Sequence, residues 1–154
     1  MRIVVAVVGK ARHPALAAAA LEYERRAMRY WPLEVCEVRE QRGGAVPPAR
    51  VRELEGRRLL DVAGAHARLV ACDPAGRAMS SEQFAAWLQH EREAGRDVCF
   101  AIGGALGLAH TVVEAAHLRL TLAPWTLPHE LARVVLAEQL YRAGTIVRGE
   151  PYHK

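Results

Sequence analysis

Apolar positions along the chain fall into short runs, separated by longer stretches in which they recur every three or four residues; this predicts strands alternating with helices. Strands are expected near Ile3 to Val8, Leu33 to Val38, Leu69 to Cys72 and Val98 to Ile102, with a weaker fifth near Leu118 to Leu122. Helices are expected near Ala15 to Tyr30, Ala49 to Val62, Glu82 to Glu93, Val112 to Ala116 and Pro128 to Ala143. Pro14 and Pro48 suit first helical turns, Ser80-Ser81 offers an N-cap, and Gly64 and Gly95 can close helices in the left-handed conformation. The order of elements predicts an α/β fold, a mostly parallel sheet with flanking helices, and 154 residues suit a single domain over 1–154.

The last helix breaks the amphipathic rule. Projected at about 100° per residue, Leu131, Val134, Val135, Leu136, Leu140 and Tyr141 fall nearly all round it. A helix of that kind is covered on several sides. In so small a domain the sheet is expected to cover one side and a second copy another, which predicts a symmetric homodimer. Glu138 and Arg142 stand four apart on this helix, as do His129 and Arg133.

Composition narrows the function classes. Hydrophobic residues make up 51% and charged residues 25%, a globular balance, and no stretch is long and apolar enough to span a bilayer. The β-branched opening run reads as a buried strand and not as the core of a signal peptide. Cys36, Cys72 and Cys99 are too scattered for a metal cluster, and three thiols cannot all pair, so a reduced, cytoplasmic setting without a metal is expected. A net charge of +4 favours an acidic partner such as nucleic acid without demanding one, because Arg25-Arg26 and Arg57-Arg58 serve equally well as solvated helix faces.

Three segments carry candidate chemistry. Ile102-Gly103-Gly104-Ala105-Leu106-Gly107-Leu108 follows the fourth strand, where ligands of open α/β sheets bind. Its spacing and late position fit neither the dinucleotide fingerprint nor a P-loop. Leu122-Ala123-Pro124-Trp125-Thr126-Leu127-Pro128-His129-Glu130 is a proline-stiffened loop ahead of the last helix, able to cradle a nucleotide or, more plainly, to start a helix with Trp125 in the core. A polar tail, Gly149-Glu150-Pro151-Tyr152-His153-Lys154, follows that helix.

Ile102-Gly103-Gly104, Thr126-Leu127-Pro128-His129, the block from Ala137 to Ala143 and Pro151-Tyr152-His153 together resemble the ribosomal RNA large-subunit methyltransferase H family over the whole chain. The resemblance implies a SPOUT fold with a C-terminal trefoil knot, and S-adenosylmethionine held by Cys72, Asp73, Gly103, Gly104 and the loop Ala123, Pro124, Trp125, Thr126, Leu127 and Pro128. It further implies N3 methylation of a pseudouridine in 23S rRNA, and with a net charge of only +4 the assembled ribosome is the expected substrate. His153 or His129 would accept the N3 proton, Arg142 and Arg133 would contact phosphate or base, Tyr152 would stack on a base, and Lys154 would supply tail charge. Departures from the family pattern are Ala105-Leu106 between the glycines, Glu150 and Lys154 in the tail, and Gly144 where relatives often carry tryptophan. A SPOUT enzyme acting on another RNA such as tRNA, and a catalytically silent RNA-binding module, are the alternative readings.

Overall fold

The structure, a computed structural model, describes residues 1–153, with side chains as far as Tyr152. Its strands are β1 (Ile3–Val8), β2 (Leu33–Val38), β3 (Arg68–Arg77), β4 (Val98–Ile102) and β5 (Leu118–Leu120). Its α-helices are α1 (Pro14–Ala27), α2 (Pro48–Ala63), α3 (Ser81–Glu93), α4 (His110–Ala115) and α5 (His129–Val147), and a 3-10 turn covers Pro151–His153. All strand pairs are parallel, in the order β2-β1-β4-β3-β5.

Alternation along β1 divides the core in two. Ile3, Val5 and Val7 meet Ala27 of α1, Leu88 of α3 and Leu136 and Leu140 of α5, whereas Val4, Ala6 and Val8 meet Leu59 of α2 and Val112 of α4. Both faces are therefore covered by helices, as a parallel sheet requires. Pro14 and Pro48 open their helices, Ser80 and Gln83 form a capping box on α3, and Gly64 and Gly95 take φ values of +67° and +66°.

Several boundaries differ from expectation for visible reasons. β3 continues to Arg77 because Cys72 and Arg77 both stand opposite Leu120, so residues 73–76 bulge out and the strand resumes. Gly76 allows this, since a Cβ there would lie 2.6 Å from the Leu120 carbonyl carbon. α5 runs past Ala143 to Val147 and closes on Gly149 at φ +68°, where the amides of Gly149 and Glu150 reach the carbonyls of Ile146 and Thr145 at 3.0 and 2.8 Å. α5 lies between α1 and α3 of its own chain, which cover flanks that its apolar circumference had suggested for a second copy. Leu131, Val134 and Val135 remain half-buried.

Candidate active site

Strand register brings Val8, Ile102 and Cys72 to one carboxyl edge of the sheet. A cavity of about 450 Å³ opens there, walled by residues 72–74, 102–105, 107–108, 121–123, 125–129 and 132. It gathers Cys72, Asp73, Gly103, Gly104, Ala123, Trp125, Thr126, Leu127 and Pro128, together with His129. Pro124 is outside the wall. Sequence reasoning assigned no cofactor contact to Pro74, Leu108, Thr121, Leu122 or Ala132, although Leu108 and Leu122 belong to its candidate segments.

The glycine turn is built from its own packing. A Cβ at Gly103 would stand 2.6 Å from the carbonyl carbon of Gly107, and one at Gly104 would stand 3.0 Å from both Glu55 Oε2 and Val8 Cγ1. Gly104 lines the cavity, and the room left by its missing side chain is taken up by Glu55 and Val8. Gly107 closes the turn at φ +79°, its amide donating to the Gly104 carbonyl at 3.0 Å. Asp73 Oδ1 accepts from the Ala75 amide at 2.8 Å and from Arg119 at 2.9 Å, which fixes the rim.

Trp125 is 78% exposed at this cavity, so it does not fill core. Pro128 is the N-cap of α5 and not its first residue, and no side chain caps that end. Burial pushes the Cys72 thiol up to about 12, which keeps it neutral and makes it wall and not nucleophile.

Behind the turn lies a carboxylate that sequence reasoning missed. Glu55 is 4% exposed; Oε1 accepts from the Gln41 amide at 2.9 Å, and Oε2 has no hydrogen-bond partner among the described residues. Burial pushes its carboxyl above the usual range, and Glu40 pushes the same way, against the Gln41 amide, Arg58 and His129. Next to His129 along the chain, Glu130 is held below the usual carboxylate range by the backbone amides of His13 and Arg12.

The remaining candidates are not at the cavity. Arg133 does not share His129's surroundings but is gripped by Glu24 and Glu37, each at 2.7 Å. Arg142 donates to Glu138 Oε1 at 2.9 and 2.7 Å and lies 4.8 Å from the ring centre of Tyr152. The Tyr152 ring lies tilted against that of Tyr141, centroids 4.5 Å apart, and its hydroxyl donates to Glu138 at 3.1 Å; burial raises its phenol strongly, with Tyr23 and Glu138 adding to the shift. Arg142 is more than three turns further along α5 than His129, about 20 Å at roughly 1.5 Å per residue. One chain thus does not bring its tail cluster to its own cavity. The side chain of His153 and all of Lys154 lie outside the described residues.

A family model described as "Predicted SPOUT methyltransferase" matches residues 1–153. The chain belongs to the SPOUT methyltransferase family. Within that family it is 58% identical to the ribosomal RNA large subunit methyltransferase H of Gemmatimonas aurantiaca, over 100% of both chains. It is 46% identical to the protein of the same name in Anaeromyxobacter dehalogenans over 100% of both, and 40% identical to that of Syntrophotalea carbinolica over 99% of both. A solved structure of a probable methylase family protein from Haemophilus influenzae is alike in fold, with a TM-score of 0.54 at 15% identity, covering 99% of this chain and 70% of that one. The parallel sheet with flanking helices is thus a SPOUT methyltransferase fold. Among the described residues no helix is long and apolar enough to cross a membrane, and no three His, Cys, Asp or Glu side chains are grouped to hold a metal ion.

Proposed function

We propose that this SPOUT methyltransferase moves a methyl group from S-adenosylmethionine to N3 of a pseudouridine in 23S rRNA, acting in the cytoplasm as a homodimer on the assembled ribosome. The observation that carries this reading is the cavity itself. Its 450 Å³ falls within the roughly 300–1,000 Å³ of ligand pockets, its walls combine apolar side chains with turn backbone, and the exposed indole of Trp125 can stack on a planar base. Those features fit an adenosyl sulfonium ligand. The relatives' name, at up to 58% identity, supports ribosomal RNA as the substrate.

S-adenosylmethionine, when bound, supplies an electrophilic methyl group on a sulfonium. What the chain must add is position, because an in-line displacement is accelerated mostly by holding the acceptor close and aligned. The N3 proton must also leave. His129 lines the cavity and is the acceptor within one chain, while His153 is the acceptor if a tail reaches the site. Arg142 and Tyr152 are proposed to hold phosphate and base; Arg133, committed to Glu24 and Glu37, is assigned a structural part instead. The roughly 20 Å rise along α5 from His129 to Arg142 is the motive for placing the tail of one subunit, with Lys154, at the cavity of the other. Threading of the C-terminal segment into a knot belongs to the same proposal.

The test is transfer of labelled methyl from S-adenosylmethionine to ribosomes, isolated subunits and free RNA that lack the modification. Label should enter the large-subunit RNA of ribosomes, with free RNA a poor acceptor. Label entering only tRNA would favour another SPOUT specificity, and no transfer despite calorimetric binding of the donor would favour a silent RNA-binding module.

A further inference from the structure

A second groove, of about 750 Å³, adjoins the cavity. Gly9 lines this groove, and a Cβ there would stand 3.9 Å from Nε2 of His129, which lines the cavity, so the two spaces meet across that contact. Lys10, Arg12, Arg39 and Arg42 line the groove, with Glu37 and Glu40 between them. Both carboxylates are already engaged: Glu40 pairs with Arg12, and Glu37 shares Arg133 with Glu24. Among the described residues, Lys10, Arg39 and Arg42 have no carboxylate partner.

This lining is constructed from below and open above. Arg58 donates to the Arg39 carbonyl at 2.6 Å and to Gln41 Oε1 at 2.9 Å. Buried Glu55 accepts from the Gln41 amide, and the Gly9 amide donates to the Val38 carbonyl at 2.9 Å. The backbone from Arg39 to Gln41 is therefore pinned, while the side chains of Arg39 and of Arg42 beside it, like that of Lys10, are exposed. Exposed cations on fixed backbone are suited to a polyanion, since they are positioned without an acidic partner to displace.

We propose that this groove binds the sugar-phosphate backbone of the RNA strand whose base enters the cavity, with Lys10, Arg39 and Arg42 as its phosphate contacts. The inference rests on the reading of RNA as substrate and adds where the strand runs. Three cations spread over the exits of β1 and β2 suit successive phosphates better than one small anion, which would need converging donors. A backbone in the groove leaves its base on the Gly9 side, toward His129 and the cavity.

The test neutralises the three cations together, as Lys10→Gln, Arg39→Gln and Arg42→Gln, which breaks no ion pair described above. The probes are ribosomes lacking the modification and a fluorescein-labelled RNA hairpin. KM for ribosomes should rise about tenfold or more with kcat within about twofold, and calorimetric affinity for S-adenosylmethionine should not change. The slope of log affinity against log salt for the hairpin should flatten by about 2, given roughly 0.7–0.9 per phosphate contact. An unchanged KM and slope would overturn the assignment. So would an equal loss in a control with the same net charge, Arg25→Gln, Arg29→Gln and Arg57→Gln. A loss seen with ribosomes but not with the hairpin would assign the groove to an acidic ribosomal protein and also overturn it. Methylation by the unaltered protein tests the substrate reading separately, and hairpin binding tests the groove whether or not methylation occurs.

Discussion

Glu55 and Gly104 hold each other in place at the cavity's back wall. The carboxylate is buried with one oxygen unpartnered, so it is costly when charged, and its pKa is displaced upward mainly by burial. A carboxyl raised in the folded state contributes stability that is complete at pH values below its unfolded range and is lost as pH rises through the folded value. Glu55→Gln keeps an acceptor for the Gln41 amide and removes the ionisation. Its melting temperature relative to the unaltered protein should therefore climb as pH is raised from about 4 to 7, with a difference that does not vary with pH counting against the assignment. Gly104→Val, by contrast, should unsettle the turn itself, because its Cβ would press on Glu55 and Val8 at 3.0 Å. Lost cofactor affinity in that variant would come with lost stability and would not by itself place Gly104 against the ligand.

At the scale of elements, what could be read in the sequence was what depends on local order. β1 and β4 match their expected spans because short, fully buried runs bounded by turn residues have few other solutions, and the residues that the resemblance implied for the cofactor, Pro124 apart, line one cavity because loops at strand ends converge in a parallel sheet. The grip on Arg133 was not legible, since Glu24 and Glu37 are 109 and 96 residues away along the chain. Nor was the end of α5, because Ala143-Gly144-Thr145 reads as a stop. Gly144 instead admits an aromatic ring: a Cβ there would stand 2.3 Å from Cγ of Tyr30, whose hydroxyl is bonded to Glu150. Tyr30 thus occupies the room that a larger residue at 144 would need, which accounts for the departure at that position. Gly144→Trp alone should destabilise the fold by about 1–3 kcal/mol or more through overpacking. Combined with Tyr30→Ala it should cost less than the sum of the single changes, by at least ~1 kcal/mol in denaturant melts. Strict additivity would separate the two residues energetically.

For the whole molecule, the question is how a cavity at the start of α5 is served by a cluster at its end. Within one chain Tyr152 lies against Tyr141 and Glu138, so the described part of the tail follows its own helix and packs beyond the cavity-lining start of α5. A two-fold axis beside α5 would reverse a second helix against the first and carry Arg142 and Tyr152 of one subunit toward His129 of the other, with half-buried Leu131, Val134 and Val135 available for the contact. Two inactive proteins test this arrangement. One carries Ala123→Trp, which adds bulk to the cavity wall and is verified by its failure to bind S-adenosylmethionine; the other keeps the cavity and lacks residues 152–154. Unfolded together and refolded in equal amounts, they should form about half mixed dimers, each with one complete site of two, and recover about a quarter of the unaltered activity. A tail acting on its own subunit gives no recovery at all. Activity near zero, with mixed dimers verified by a tag on one partner, would place the tail's contribution within its own subunit and overturn the shared site.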